Sequence, residues 1–337
     1  MKNLRKIMTI LLSLILIVSV IGCGQKSEIN NGGRTTSEKV ESNTSHYPVT
    51  ITTYNYAKEP VEITFDKSPE RVVAVYQNSI ETLLALGLED KIVAAAGLDH
   101  DVKEEYKESF AKVNYLAEFM PSKETIIMEK PDFILSWYSL FNDKALGDVG
   151  YFHKNSINTY MSLNSGVASE RTLENEIIDI SNLGKIFNVE NKAENIVNKI
   201  KSKVDEISNK TLNNKKVSTI IVEYSNDDIL TYGAKTLGGN MVTKLGGNLL
   251  HSEGGSIGAE DLIKLNPDCI FVSYMERGDE SVKVEEVNKI LNNPAFASLN
   301  AVKNKRVYPI PLGEMYCSGI RTIDGLNTFA NGLYENQ

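Results

Sequence analysis

The sequence predicts an α/β protein of two homologous lobes with mainly parallel sheets, on three observations. First, the segment Glu124 to Tyr138 lies over Glu260 to Tyr274 without a gap, each copy carrying a glutamate seven residues before a Pro-Asp pair, Pro131-Asp132 and Pro267-Asp268. An apolar helical turn separates glutamate from proline, and a β-rich apolar run follows, the pattern of helix, turn and buried parallel strand. Second, a strand and a helix precede each copy in the same order: Arg71 to Val75 then Ile80 to Gly87, and Val217 to Val222 then Gly239 to Gly246. Both helices end in Leu-Gly, where glycine supplies a left-handed cap. Third, a long amphipathic segment stands between the copies, with Ala193, Ile196, Val197, Ile200, Val204 and Ile207 at helical spacing.

From the N-terminus, residues 1–22 read as a secretory leader: basic Lys2, Arg5 and Lys6, an apolar run from Ile7 to Ile21, then Gly22-Cys23. The run is short for a membrane span, which takes ~20 apolar residues. Residues 23–46 turn to Gly, Ser, Thr, Asn, Lys and Glu, too polar to drive ordering, and read as a flexible tether. Val49 to Thr52 and Val61 to Phe65 alternate apolar and polar residues around Tyr54 to Pro60 and predict a β-hairpin. An N-terminal lobe is expected over 47–187, closing with a helix from about Glu170 to Phe187. A bridging helix over 188–210 follows, with Asn188 as its cap; at 1.5 Å per residue it spans ~30 Å, enough to cross between lobes. The C-terminal lobe fills 211–337.

Composition narrows the function. The 42% hydrophobic content is enough to bury a core, and the formal charge of −8 leaves no basic face for nucleic acid. Beyond Cys23 stand only Cys269 and Cys317. Cys269 lies in the apolar run Asp268 to Val272 and is expected to be buried as a small hydrophobe, without a disulfide.

The order of these motifs resembles the substrate-binding lipoproteins of ABC importers for iron–siderophore complexes, haem and cobalamin. The residues that carry it are Val20-Ile21-Gly22-Cys23, which resembles a lipobox, the polar tether, Pro69 to Val73, Glu81 to Gly87, and the paired glutamate-to-Pro-Asp units. Ile180 to Val189 is similar to the iron-complex branch. The resemblance implies two Rossmann-like lobes joined by one long rigid α-helix, with a ligand cleft between the lobes and limited hinge motion. It implies lipidation of Cys23 and a place on the outer face of the cytoplasmic membrane. It also implies docking of Glu124 and Glu260, one per lobe, onto arginines of the permease subunits.

In such folds ligands meet the carboxyl ends of parallel strands. That rule selects Tyr76 to Asn78, Trp137 and Tyr138, Tyr224 and Ser225, and Tyr274 to Arg277. The resemblance adds Arg321, with Tyr316 beside it. Aromatic walls with a few cations suit a large, partly apolar iron chelate. The ligand-binding candidates are therefore Tyr76, Trp137, Tyr138, Tyr224, Tyr274, Arg277, Tyr316 and Arg321. The cargo expected is a ferric siderophore-like complex, with haem, cobalamin or bare metal as alternatives on the same fold. No intrinsic cofactor, no catalytic residue and a monomer are expected.

A secreted hydrolase is the alternative of another class. Gly254 to Gly258 matches G-x-S-x-G, but all four histidines, His46, His100, His153 and His251, precede Ser256, whereas that fold places its histidine after the serine. Gly233-Ala234-Lys235-Thr236 lacks the glycine that a phosphate loop needs before lysine. Both read as turns.

Overall fold

The computed structural model describes residues 46–211, 216–225, 228–276 and 281–334. The leader, Cys23 and the tether up to residue 45 lie outside the described residues, as does Arg277. None of the described helices is long and apolar enough to cross a membrane.

The expected hairpin forms from β1 (Val49–Tyr54) and β2 (Pro60–Phe65), paired antiparallel. The first lobe then runs β3 (Val72–Val75), α1 (Gln77–Ala85), β4 (Ile92–Ala96), α2 (Lys107–Phe110), α3 (Lys123–Met128), β5 (Phe133–Ser136), α4 (Val149–Lys154) and β6 (Asn158–Met161). Its sheet is wholly parallel, in the order β4-β3-β5-β6. The central strands β3 and β5 are buried at every position, which is why their sequences are continuous apolar runs rather than alternating ones.

Two helices follow β6, α5 (Leu173–Ile186) and the long α6 (Glu190–Thr211). Thr172 caps α5 by accepting from the Asn175 N–H, and Asn188 takes a left-handed conformation (φ 55°) between the two helices. Gly184 lets them meet: a Cβ there would stand 2.5 Å from that of Ala193.

The second lobe contains β7 (Ser218–Ser225), β8 (Asp228–Thr231), α7 (Leu237–Lys244), β9 (Asn248–Leu249), β10 (Gly255–Ile257), α8 (Ala259–Leu265), β11 (Cys269–Tyr274), α9 (Ser281–Leu291), α10 (Asn300–Lys303), β12 (Val307–Pro311) and α11 (Thr322–Tyr334). Its sheet is mixed. Strands β7, β11 and β12 are parallel, whereas β8 returns antiparallel to β7 and carries β10 on its outer edge. That hairpin, which the sequence reading does not anticipate, has a consequence for the cleft described below.

The repeated Pro-Asp pair has the same structural role in both lobes. The Asp132 N–H donates to the Arg71 carbonyl at 2.9 Å, and the Asp268 N–H donates to the Ser218 carbonyl at 2.9 Å. The Asp132 carboxylate also accepts from the N–H groups of Glu70 and Arg71, and the Asp268 carboxylate accepts from the Ser218 hydroxyl. Each pair thus fastens the end of a helix–turn to the start of the neighbouring strand. The residue before each proline, Lys130 (φ 50°) and Asn266 (φ 44°), is left-handed and ends its helix. Gly87 (φ 66°) and Gly246 (φ 86°) occupy the left-handed positions expected of them. Cys269 and Cys317 are both buried and unbridged.

The α5–α6 contact gives a direct test. Replacing Gly184 by alanine forces these helices apart, and overpacking of this kind costs about 1–3 kcal/mol. A circular-dichroism melt should show Gly184→Ala lowered by several degrees; an unchanged melting temperature would show that the helices are not in contact there.

Candidate functional site

A cavity of about 440 Å³ lies at the carboxyl ends of the parallel strands, walled by both lobes. Its first wall begins at Tyr76, between β3 and α1. This residue holds φ 77°, ψ 153°, a region almost reserved for glycine, so the backbone is strained. Its N–H donates to the Ala96 carbonyl at 2.9 Å, and its ring stacks on Trp137 with centroids 4.6 Å apart. Trp137 follows β5, and its indole N–H donates to the Asn78 side chain. Asn78 in turn donates to the Ser162 hydroxyl at 3.0 Å and faces the Cys317 sulfur at 3.5 Å.

Tyr316, reached after β12, brings the second lobe to this aromatic pair, its ring centroid 5.8 Å from that of Trp137. Its hydroxyl accepts from Arg171 at 2.8 Å. Arg321 also lines the cavity, with its fork already engaged: Nε and Nη2 donate to the two oxygens of the fully buried Glu81 at 2.6 and 2.8 Å. The Glu81 carboxylate accepts from the Lys103 N–H as well, at 2.9 Å. Across the opening, His100 Nε2 stands 3.1 Å from a Glu276 oxygen, which is 3.6 Å from Arg321 Nη1.

Of the sequence-selected residues, Tyr76, Trp137, Tyr316 and Arg321 line this cavity, whereas Tyr138, Tyr224 and Tyr274 do not. Tyr138 follows Trp137 on extended backbone and so faces away, stacked on Tyr56 at 4.6 Å. Tyr224 lies within β7 rather than after it. Alternation along that strand places Tyr224 with Ile220 and Val222 in the outer core and leaves Glu223 facing the cavity. Burial pushes the Tyr224 hydroxyl up to about 12. Tyr274 shares the face of Ile270 and Val272 by the same period.

The cavity gains Tyr232, Phe119 and Glu223, which the strand-end rule does not select. Tyr232 arrives through the β7–β8 hairpin and donates its hydroxyl to Glu223. Burial and that carboxylate raise its pKa. Period-2 alternation along β7 is the signal that would have found Glu223.

Neither enzymatic motif makes a site. Ser256 sits exposed within the edge strand β10, and Gly233 packs so closely that a Cβ would fall 2.4 Å from the Ser252 carbonyl.

The profile of the periplasmic binding protein family matches residues 72–312. The chain belongs to this family. Its members are solute-binding components of ABC transporters and not enzymes. The chain is 26% identical to the uncharacterized ABC transporter substrate-binding lipoprotein YvrC of Bacillus subtilis, over 96% of this chain and 95% of that one. It is 24% identical to the petrobactin-binding protein YclQ of the same organism, over 94% of each. A periplasmic binding protein from Veillonella parvula superposes with a TM-score of 0.81 at 35% identity, covering 86% of this chain and 92% of that chain.

Two carboxyls beside the cleft, Glu176 buried and Glu314 half-buried, make stability depend on pH. Glu176 accepts from the backbone N–H groups of Ser318 (3.1 Å) and Gly319 (2.7 Å), and burial pushes it up to about 7. Burial also pushes Glu314 up to about 7, with Asp324 and Glu276 adding repulsion. The unfolded chain releases these protons near 4.5 and the folded chain near 7, so the stability they contribute is complete below about 4.5 and lost as pH rises to about 7. Glu314→Gln keeps an acceptor for the Thr328 hydroxyl, which lies 2.9 Å from the native carboxylate. It should melt higher than the parent at pH 8 and show a shallower fall between pH 4.5 and 7; equal slopes for parent and variant would remove Glu314 from this account.

Proposed function

We propose that this periplasmic binding protein captures a ferric siderophore-like complex in its interlobe cleft and delivers it to an ABC permease. The observation that carries the reading is the aromatic wall, in which the strained Tyr76 stacks on Trp137 while Tyr316 approaches from the other lobe. Such a wall suits the organic shell of a chelate. Among the described residues no three His, Cys, Asp or Glu side chains gather as a metal site, which favours a metal that arrives already chelated over bare metal. The name of the YclQ relative, a siderophore binder, supports iron as the cargo. Haem and cobalamin fit the same wall and are outcomes of the test.

The remaining parts of the reading follow from the sequence. Lipidation of Cys23 would hold the chain, as a monomer, on the outer face of the cytoplasmic membrane, in keeping with the lipoprotein named among its relatives. Glu124 and Glu260 would dock the permease. Both are exposed in the first turn of equivalent short helices, and the neighbouring Met128, 78% exposed, and Ile263 offer apolar contact. Charge pairs of this kind set register and encounter rate.

Trp137 is the only tryptophan, so its emission reports the cleft. Titration of the full chain with ferric siderophores, haem and cobalamin should give saturable quenching by a ferric siderophore. Quenching by haem or cobalamin alone would reassign the cargo. For docking, the paired substitution Glu124→Lys and Glu260→Lys should lower uptake of labelled ligand about tenfold or more while leaving its affinity unchanged. Normal uptake by that variant would remove the two glutamates from the interface.

A further inference from the structure

The charge balance of the cleft runs against an anionic cargo. Three carboxylates line it, Asp99, Glu223 and Glu276. The one guanidinium that lines it among the described residues, Arg321, is held by both oxygens of Glu81 behind it. Glu276 meets the His100 imidazole and, at 3.6 Å, Arg321 itself, and Glu223 has only the Tyr232 hydroxyl against it and no ion-pair partner among the described residues. A second observation in the same cavity points to hydrogen bonding with a ligand. Gln77, 6% exposed and part of the lining, has neither amide atom hydrogen-bonded. A buried amide left this way is costly unless a guest completes it.

We propose that the cleft is an electrostatic filter which admits neutral or cationic chelates and rejects anionic ones, with Glu223 and Glu276 as its specificity-determining groups. The proposal rests on the reading of the cleft as a chelate site and narrows the chelate. In a ferric tris-hydroxamate each ligand group loses one proton, the metal charge is balanced, and the complex is neutral, or cationic where a free amine remains. A ferric tris-catecholate is a trianion, and haem carries two propionates. Two carboxylates at contact range in a cavity that excludes part of the solvent are sufficient to separate these classes by about tenfold or more. Gln77 is then free to donate to an uncharged oxygen of the guest and accept from an N–H of it, a role that needs no charge.

The experiment uses the full chain at low ionic strength. Trp137 emission is followed during titration with a neutral ferric tris-hydroxamate, an amine-bearing cationic one, a ferric tris-catecholate, haem and cyanocobalamin. The hydroxamates should bind, and the tris-catecholate should bind about tenfold more weakly or not at all. The double variant Glu223→Gln, Glu276→Gln, shown by its melt to be folded, should narrow that ratio by about the same factor. Added salt gives a reading without any substitution: it should strengthen binding of the anionic complex and leave the neutral one unchanged. Preference of the wild-type chain for the tris-catecholate would overturn the filter while leaving the iron reading intact, and so would a ratio that neither salt nor substitution moves. Binding of cyanocobalamin with no ferric complex bound would keep the filter and discard iron, whereas binding of none of the five would overturn both.

Discussion

The cleft depends on one buried ion pair. Glu81 comes from the helix that opens the first lobe, and Arg321 from the turn that leads into α11 of the second. Their two parallel hydrogen bonds tie the lobes together beside the cavity. Breaking such a pair leaves a buried charge without a partner, a cost of about 3–5 kcal/mol, so the contact is hard to exchange for any other arrangement. Around it lie the Glu176 contacts to Ser318 and Gly319, the Lys103–Asp324 pair at 2.7 Å, and Gly319 itself, whose left-handed backbone (φ 53°) lies close against Thr82 and Asn78. Residues 316–321 are therefore a second-lobe segment seated on first-lobe side chains, and Tyr316 reaches Trp137 because of it.

This explains how one guanidinium serves two purposes. Arg321 lines the cavity, yet its charge is met by the buried Glu81 carboxylate through two hydrogen bonds, so its effect on a ligand is that of a neutralised pair. A sequence reader sees the arginine and the aromatic residues and infers an anion site. The buried Glu81, 240 residues from Arg321 in the sequence, reverses the sign of that inference.

Much of the scaffold is legible in the sequence because backbone needs mark it. The left-handed residue before each proline and the aspartate that ties to a strand start recur at matched positions, and two Leu-Gly caps repeat the pattern. The cleft is less so. Tyr76 and Trp137 stand at turns, where a simple strand-end rule finds them, whereas Tyr316 is reached only through the family resemblance. Tyr224 and Glu223 differ by one residue and alternate in facing, and placing Tyr224 at a strand end in the sequence depends on where β7 ends. That end is set by the β8 hairpin, whose Ser225-Asn226-Asp227-Asp228 connection is a turn signal that the strand-end reading does not use. Tyr232 enters by the same hairpin, and Phe119 by an irregular segment whose path only the packed lobe determines.

The matched Pro-Asp fasteners bear on mechanics as well as on folding. Because Asp132 and Asp268 bind the tails of α3 and α8 to the first residues of their own sheets, each short helix moves as part of its lobe and not as a loose surface turn. A small change in the angle between the lobes is then converted, without bending either helix, into a change in the distance between them. The distance between Glu124 and Glu260 on the exterior is thereby tied to the angle between the lobes.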